Sequence, residues 1–284
     1  MPPSPFTRIL VPVDDSPLAT RVGLPLQRLC SPGVTEVTLL RVVGPLAAGD
    51  DGQARALLAR QAAEVRERLG DETRVHTLVL RGDPAEEINR HARETRQELV
   101  AMATHGRSGA ARWLRGSVAE RVLRTSEVPL LLCNPHALAE TVEHRFRQIL
   151  VPMDGSYASE CVLPAVERVA AAHDAQVTLL IVEPMVVSEL PTPLLAGSLW
   201  DPVALELSLR PFVDRLERAG VRVDATAAYG VVAAEILRAA KSTDLLAMAT
   251  HGRSGPSRWW FGSVAEQVLR EASCPLLVAR TVWP

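Results

Sequence analysis

The stretch ATHGRSGAARWLRGSVAERVLR at Ala103–Arg124 returns as ATHGRSGPSRWWFGSVAEQVLR at Ala249–Arg270. A chain that repeats so much of itself is built from two like units, so any fold proposed for one half must serve the other. Each copy follows a short apolar run, Glu98–Met102 or Asp244–Met248, and passes through Gly116-Ser117 or Gly262-Ser263 into a helical pattern. A strand, a glycine-bearing loop and a helix start, in that order, suit an anion. The glycines let backbone N–H groups approach closely, and the first turn of a helix offers unpaired N–H groups with a favourable dipole.

The rest of the chain pairs up in the same way. Continuous apolar runs at Arg8–Asp14 and Gln148–Asp154, Glu36–Val43 and Gln176–Glu183, and Pro129–Cys133 and Pro275–Ala279 read as strands buried on both faces. A further pair, Arg74–Leu80 and Val221–Ala227, ends at Gly82 and Gly230, with helices expected near 85–93 and 233–240. Val22, Leu26 and Leu29 have helical spacing, as do Val162, Val166 and Val169, with Pro25 and Pro164 near the helix starts. Leu58, Ala62, Val65 and Leu69 form one apolar stripe, and Leu205, Leu209, Phe212 and Leu216 repeat it, each stripe predicting one helix. The second copy carries an extra loop, Pro184–Pro202, read as a surface insertion with the option of a lid. The polar stretch Asn134–Arg147 is the expected linker, which puts the domains at 1–138 and 145–284.

Strands alternating with helices predict an α/β protein with two tandem doubly wound parallel-sheet domains, each of five strands in the order 3-2-1-4-5. In that order the switch point lies between strands 1 and 4. Their ends carry Asp14 and the Ala103 loop in one half, Asp154 and the Ala249 loop in the other. Ligands of open α/β sheets bind in that crevice.

A net charge of −2 with no dense Lys/Arg block speaks against general binding to nucleic acid or anionic membranes. Cys30, Cys133, Cys161 and Cys274 lack C-x-x-C spacing and are expected to be buried thiols in a reducing compartment. The start MPPSPFTRIL does not read as a signal peptide and no window spans a bilayer, so the expected location is cytoplasmic.

Each candidate has a plainer reading beside it. Ser117-x-x-Glu120 and Ser263-x-x-Glu266 have capping-box spacing, which accounts for the serines without a ligand. Arg107, Arg253, Arg112 and Arg258 suit phosphate, and also suit solvent. Asp14 and Asp154 could accept ribose hydroxyls or approach a phosphate-bound Mg²⁺, or form Asx turns with Ser16 and Ser156. His105 and His251 read as structural or exposed loop residues, and Trp113, Trp259 and Trp260 as packing. The chain has no P-loop, no strand-to-helix G-x-G-x-x-G, no nucleophile elbow and no zinc spacing.

The paired Ile-Leu-Val-Pro-x-Asp starts, with Thr-His-Gly-Arg and a Gly-Ser nine residues past the glycine, resemble the universal stress protein family in its tandem form. The resemblance implies an adenine nucleotide alpha hydrolase-like fold and ATP bound in each half. The family's ATP pattern, G-x-x-G-x9-G-[ST], becomes Ala103-x-x-Gly106-x9-Gly116-Ser117 and Ala249-x-x-Gly252-x9-Gly262-Ser263, with alanine at the first glycine in both halves. Carried over by the same resemblance, Asp14 and Asp154 meet adenine or ribose, and Val42 and Val182 offer backbone to adenine. Gly106, Gly116, Ser117 and Val118, with Gly252, Gly262, Ser263 and Val264, hold the phosphates. Pro12, Val13, Met102, Ala103 and Arg107, with Pro152, Met153, Met248, Ala249 and Arg253, complete the implied sets. The last strands would pair the two halves into a pseudo-dimer, with a homodimer of the chain as a further option. The implied role is a nucleotide-responsive stress regulator or survival factor with a regulatory protein partner, Mg²⁺ entering through the phosphates. A nucleotide-free interaction module and a slow ATP hydrolase are the alternatives.

Overall fold

A computed structural model describes residues 4–15, 22–44, 51–70, 72–104, 118–134, 137, 145–185, 201–250 and 262–280. The first half runs β1 (Arg8–Pro12), α1 (Gly23–Leu29), β2 (Glu36–Val43), α2 (Asp51–Leu69), β3 (Arg74–Arg81), α3 (Pro84–Glu94), β4 (Leu99–Ala103), α4 (Val118–Thr125), β5 (Leu130–Cys133). The second runs β6 (Gln148–Met153), a 3-10 turn (Tyr157–Val162), α5 (Leu163–His173), β7 (Gln176–Pro184), α6 (Pro202–Ser208), α7 (Arg210–Arg218), β8 (Arg222–Gly230), α8 (Val232–Ala240), β9 (Leu245–Ala249), α9 (Ser263–Glu271), β10 (Leu276–Ala279).

All ten strands join one sheet in the order β3-β2-β1-β4-β5-β10-β9-β6-β7-β8, which is 3-2-1-4-5 written out and then mirrored. Every pairing within a half is parallel, and β5 meets β10 antiparallel through Leu132↔Leu276, Leu131↔Leu277 and Leu130↔Val278. The apolar strand runs follow from burial on both faces. Ile9, Val11, Ile149 and Val151 join a core with α1, α2, α5 and α7, whereas Leu10 and Leu150 join one with α3, α4, α8 and α9. Gly82 and Gly230 close β3 and β8 at φ 150° and 152°, where a Cβ would press on the side chains of Glu87 and Glu235.

Three expectations need correction. The stripe Leu205–Leu216 is not one helix. Leu209 N–H bonds the Glu206 carbonyl at 3.0 Å, and α7 restarts with Pro211, whose ring cannot continue the α6 ladder. The insertion is shorter than Pro184–Pro202, because Pro184 ends β7 and Asp201 caps α6, accepting from Ala204 N–H at 3.0 Å; residues 186–200 lie outside the described ones. The linker is also not polar surface at its ends. Asn134 and Phe146 are fully buried.

Those buried ends tie the halves together. Asn134 Nδ2 donates to the Ala272 carbonyl at the end of α9 (2.7 Å), and its Oδ1 accepts from Ala137 N–H (2.9 Å). In the opposite direction Arg280 reaches the Arg124 carbonyl in α4. Arg28 of α1 lies 5.0 Å over the Phe146 ring, and its counterpart Arg168 of α5 lies 4.8 Å over Phe6. Arg168 also pairs with Glu98 at 2.9 Å, and Glu98 accepts from the Thr7 and Arg8 backbone.

Candidate functional site

Parallel pairing between β6 and β9 covers Ile149↔Leu245 and Leu150↔Leu246, and that between β1 and β4 covers Ile9↔Leu99 and Leu10↔Val100. From β6 the chain crosses to β7 on one side, and β9 lies on the other. The connections therefore diverge at the strand ends and leave a crevice there.

In the second half this crevice is a cavity of about 460 Å³. Pro152, Met153 and Asp154 line it from the end of β6, Val182 from β7, Met248 and Ala249 from β9, and Gly262, Ser263 and Val264 from the start of α9. The expected residues Gly252 and Arg253 fall outside the described ones, as do His251, Arg258, Trp259 and Trp260. Sequence reading missed Ser159, Ile181, Glu183, Val232 and Ile236, which also line the cavity. Their signal was topological, since β7 and the start of α8 flank any crevice at the end of β6. Leu205 was read as core, yet it lines the cavity from α6.

Asp154 forms the expected Asx turn. Its Oδ1 accepts from Ser156 N–H at 2.9 Å and Ser156 Oγ at 2.6 Å, an Asx turn, while the residue also faces the cavity. Ser156 Oγ in turn accepts from Ser159 N–H at 3.3 Å and caps the 3-10 turn. Gly155 makes the corner at φ 75°.

The capping-box reading of Ser263 does not hold. Gly262 is the N-cap, at φ −64° and ψ 144°, and no side chain caps the helix. The first helical bond runs from Glu266 N–H to the Gly262 carbonyl at 3.1 Å. Ser263 is therefore the first helical residue, and the N–H groups of Ser263, Val264 and Ala265 come before any intrahelical partner. All three residues line the cavity. A Cβ built on Gly262 meets no atom within 4 Å.

In the first half Pro12 ends β1, and Val13 N–H bonds the Leu40 carbonyl at 2.9 Å. The Asp14 carbonyl accepts from Gln61 Nε2 at 2.8 Å. Val42 lies near the end of β2, Met102 and Ala103 end β4, and Val118 opens α4. The structure brings these residues to the same strand ends; Ser16, His105, Gly106, Arg107, Arg112, Trp113, Gly116 and Ser117 lie outside the described residues. Asp15 and Arg41, unremarked in the sequence, form an ion pair at 2.6 Å here.

The cysteines are free, with Cys133 and Cys274 buried and Cys30 and Cys161 half-buried. Burial pushes the Cys30 thiol up to about 12 and the Cys274 thiol up to about 11, which suits packing rather than nucleophilic chemistry. Among the described residues no group of three or more His, Cys, Asp or Glu could hold a metal, and no helix is long and apolar enough to cross a membrane.

A doubly wound unit, repeated within one chain and carrying a crevice at its switch point, defines a tandem α/β protein of the nucleotide-fold type. The model of the universal stress protein family matches residues 5–134 and again 145–280, and the chain belongs to that family. A universal stress protein of Methanocaldococcus jannaschii is 31% identical over 147 residues, 49% of this chain and 84% of that protein. One from Mycobacterium tuberculosis is 29% identical over 189 residues, 64% of this chain and 62% of that protein. The crystal structure of a universal stress protein from Archaeoglobus fulgidus superposes with a TM-score of 0.70 at 21% identity, covering 96% of this chain and 95% of that one. At that identity the superposition speaks for the fold.

Proposed function

We propose that this chain binds ATP in the crevice at the ends of β6 and β9 and serves as a nucleotide-responsive regulator in the cytoplasm. The observation that carries this reading is the cavity beside α9. Its volume of about 460 Å³ suits a nucleotide-sized ligand, and its wall is mainly aliphatic with few polar groups. The N–H groups of Ser263, Val264 and Ala265 would take the phosphates, with the α9 dipole adding to the attraction. Asp154 would accept ribose hydroxyls, and Met153, Val182 and Met248 would enclose the base. Mg²⁺ would arrive on the phosphates. The described residues of the cavity would bind and orient the nucleotide, and the bound nucleotide would serve as a signal. Domains 1–138 and 145–284 would be the two working units, with Pro12, Val13, Asp14, Val42, Met102, Ala103 and Val118 as the first-half counterparts.

Gly262→Val is the direct test. Valine can adopt the Gly262 backbone angles, and its Cβ meets no protein atom, so the fold should be kept. Its methyl groups would occupy the phosphate approach. Calorimetry should show ATP affinity at this crevice reduced by at least about tenfold, or about 1.4 kcal/mol, with the melting temperature moved by no more than about 2 °C. Full ATP affinity in the variant, or no response of the folded wild-type chain to millimolar ATP, defeats the proposal.

A further inference from the structure

The two halves differ where the crevice wall meets the second strand. By strand alignment Ile181 of β7 corresponds to Arg41 of β2, and Gly155 after β6 corresponds to Asp15 after β1. In the second half Ile181 lines the open cavity as a neutral, compact side chain, and Gly155 bears none at all. In the first half a long cation and a carboxylate stand at those two places, joined at 2.6 Å with side chains only 16% and 25% exposed.

We infer that the two crevices are unequal: the Arg41–Asp15 pair fills the first one, and the second alone takes a nucleotide in the native chain. The inference rests on the ATP reading of the crevice and adds its stoichiometry. Three physical points carry it. Arginine and aspartate together bring far more side-chain volume to these positions than isoleucine and glycine do. The pair is largely withdrawn from water and internally neutralised, so opening it to admit a nucleoside would strand two charges in a poorly solvated wall. The pair is also anchored on both sides. Asp15 follows Asp14, whose carbonyl is held by Gln61 of α2 at 2.8 Å, and Arg41 lies in the β2 ladder between β1 and β3. In the second half Ser208 stands where Gln61 does, by the same helix correspondence; α6 ends there, and Ser208 Oγ donates to the Leu205 carbonyl of its own helix at 2.5 Å.

The arrangement gives each half a different task. The first would be a fixed platform, and the second a domain whose state depends on nucleotide. They share the continuous β5–β10 seam and the Asn134 contact to the end of α9, the helix whose start faces the ligand. Occupancy of the second crevice would therefore bear on a helix that is tethered to the first half.

The experiment is a stoichiometry by calorimetry and equilibrium dialysis with ATP on the full chain. Wild type should take one ATP per chain. The double variant Asp15→Gly/Arg41→Ile, which writes the second-half residues into the first, should take two. Gly262→Val should remove the wild-type site, while the triple variant should keep the newly opened first site. Two equivalents in wild type, or a first-half site that survives in Gly262→Val alone, overturns the inequality and leaves the ATP reading standing. Folded wild type and folded double variant that both ignore ATP overturn the ATP reading, and the stoichiometry falls with it. A double variant that still takes one ATP overturns the claim that this pair is what closes the first crevice. If that variant is unstable, Ile181→Arg/Gly155→Asp offers the reverse test: it should abolish binding, and retained binding overturns the inference.

Discussion

His173, at the end of α5, is 8% exposed and packs edge-on against Phe146, with ring centroids 5.3 Å apart. Burial, with the nearby Arg145 charge, lowers its imidazole pKa from 6.5 to about 4; a hydrogen bond to the Arg28 backbone resists the shift only partly. Because the folded state holds this group neutral while the unfolded chain protonates it near 6.5, its contribution is complete above that pH. It is lost as pH falls toward 4 and is constant below. The full cost is at most about 3.4 kcal/mol. Urea denaturation of wild type should show this loss between pH 6.5 and 4, and His173→Leu should flatten that component of the profile. An unchanged slope in the variant refutes it. Nothing in the sequence singled out His173, since its counterpart is Gly33 and its neighbours Arg145, Phe146 and Arg28 are brought to it only by the fold.

At the scale of elements, α9 shows how a motif can be read at the right place and in the wrong role. Ser-x-x-Glu spacing predicts a side-chain cap, but Gly262 takes the N-cap by backbone alone and moves Ser263 one position into the helix. If the serine capped the helix, Ser263→Ala would cost about 1 kcal/mol of stability. The observed geometry predicts a change below about 0.5 kcal/mol, measured by chemical denaturation. A loss of about 1 kcal/mol would restore the capping role. A single proline makes the similar difference between α2 and the α6–α7 pair. The apolar stripe was legible because Leu209, Phe212 and Leu216 are buried as predicted, but Pro211 interrupts the ladder while leaving the stripe in place.

At the scale of the whole molecule, β5 and β10 are the inner strands of a ten-stranded sheet, and every residue of both is buried. Cutting the chain between the halves would expose Leu130–Cys133 as a bare apolar edge with unpaired backbone groups. The isolated segment 1–138 is therefore expected to pair β5 with its own copy and to run as a homodimer in size-exclusion chromatography coupled to light scattering. A stable, monodisperse monomer would show that the seam is dispensable. The cross-half contacts of Asn134, Arg28 and Arg168 strengthen the seam with hydrogen bonds and cation–π contacts of modest individual size.

The sequence by itself carried the duplication and the doubly wound α/β class. Buried strands must be apolar on both faces and parallel strands need crossovers of one hand, which narrows the topologies to a few, and the fold then bears out the expected order 3-2-1-4-5. Tertiary structure decided what local pattern does not encode: that Asn134 and Phe146 are interior, that His173 is held neutral, and that Glu183, Val232 and Ile236 share a cavity with Asp154. It also decided that Arg41 and Asp15, distant in the chain and ordinary as single residues, meet at 2.6 Å in the first half. Burial and charge pairing depend on what the rest of the chain brings alongside a residue, and those neighbours come from strands and helices distant in sequence. The stretch written twice marked the strand ends at which the second-half cavity lies, and unlike residues are folded around its two copies.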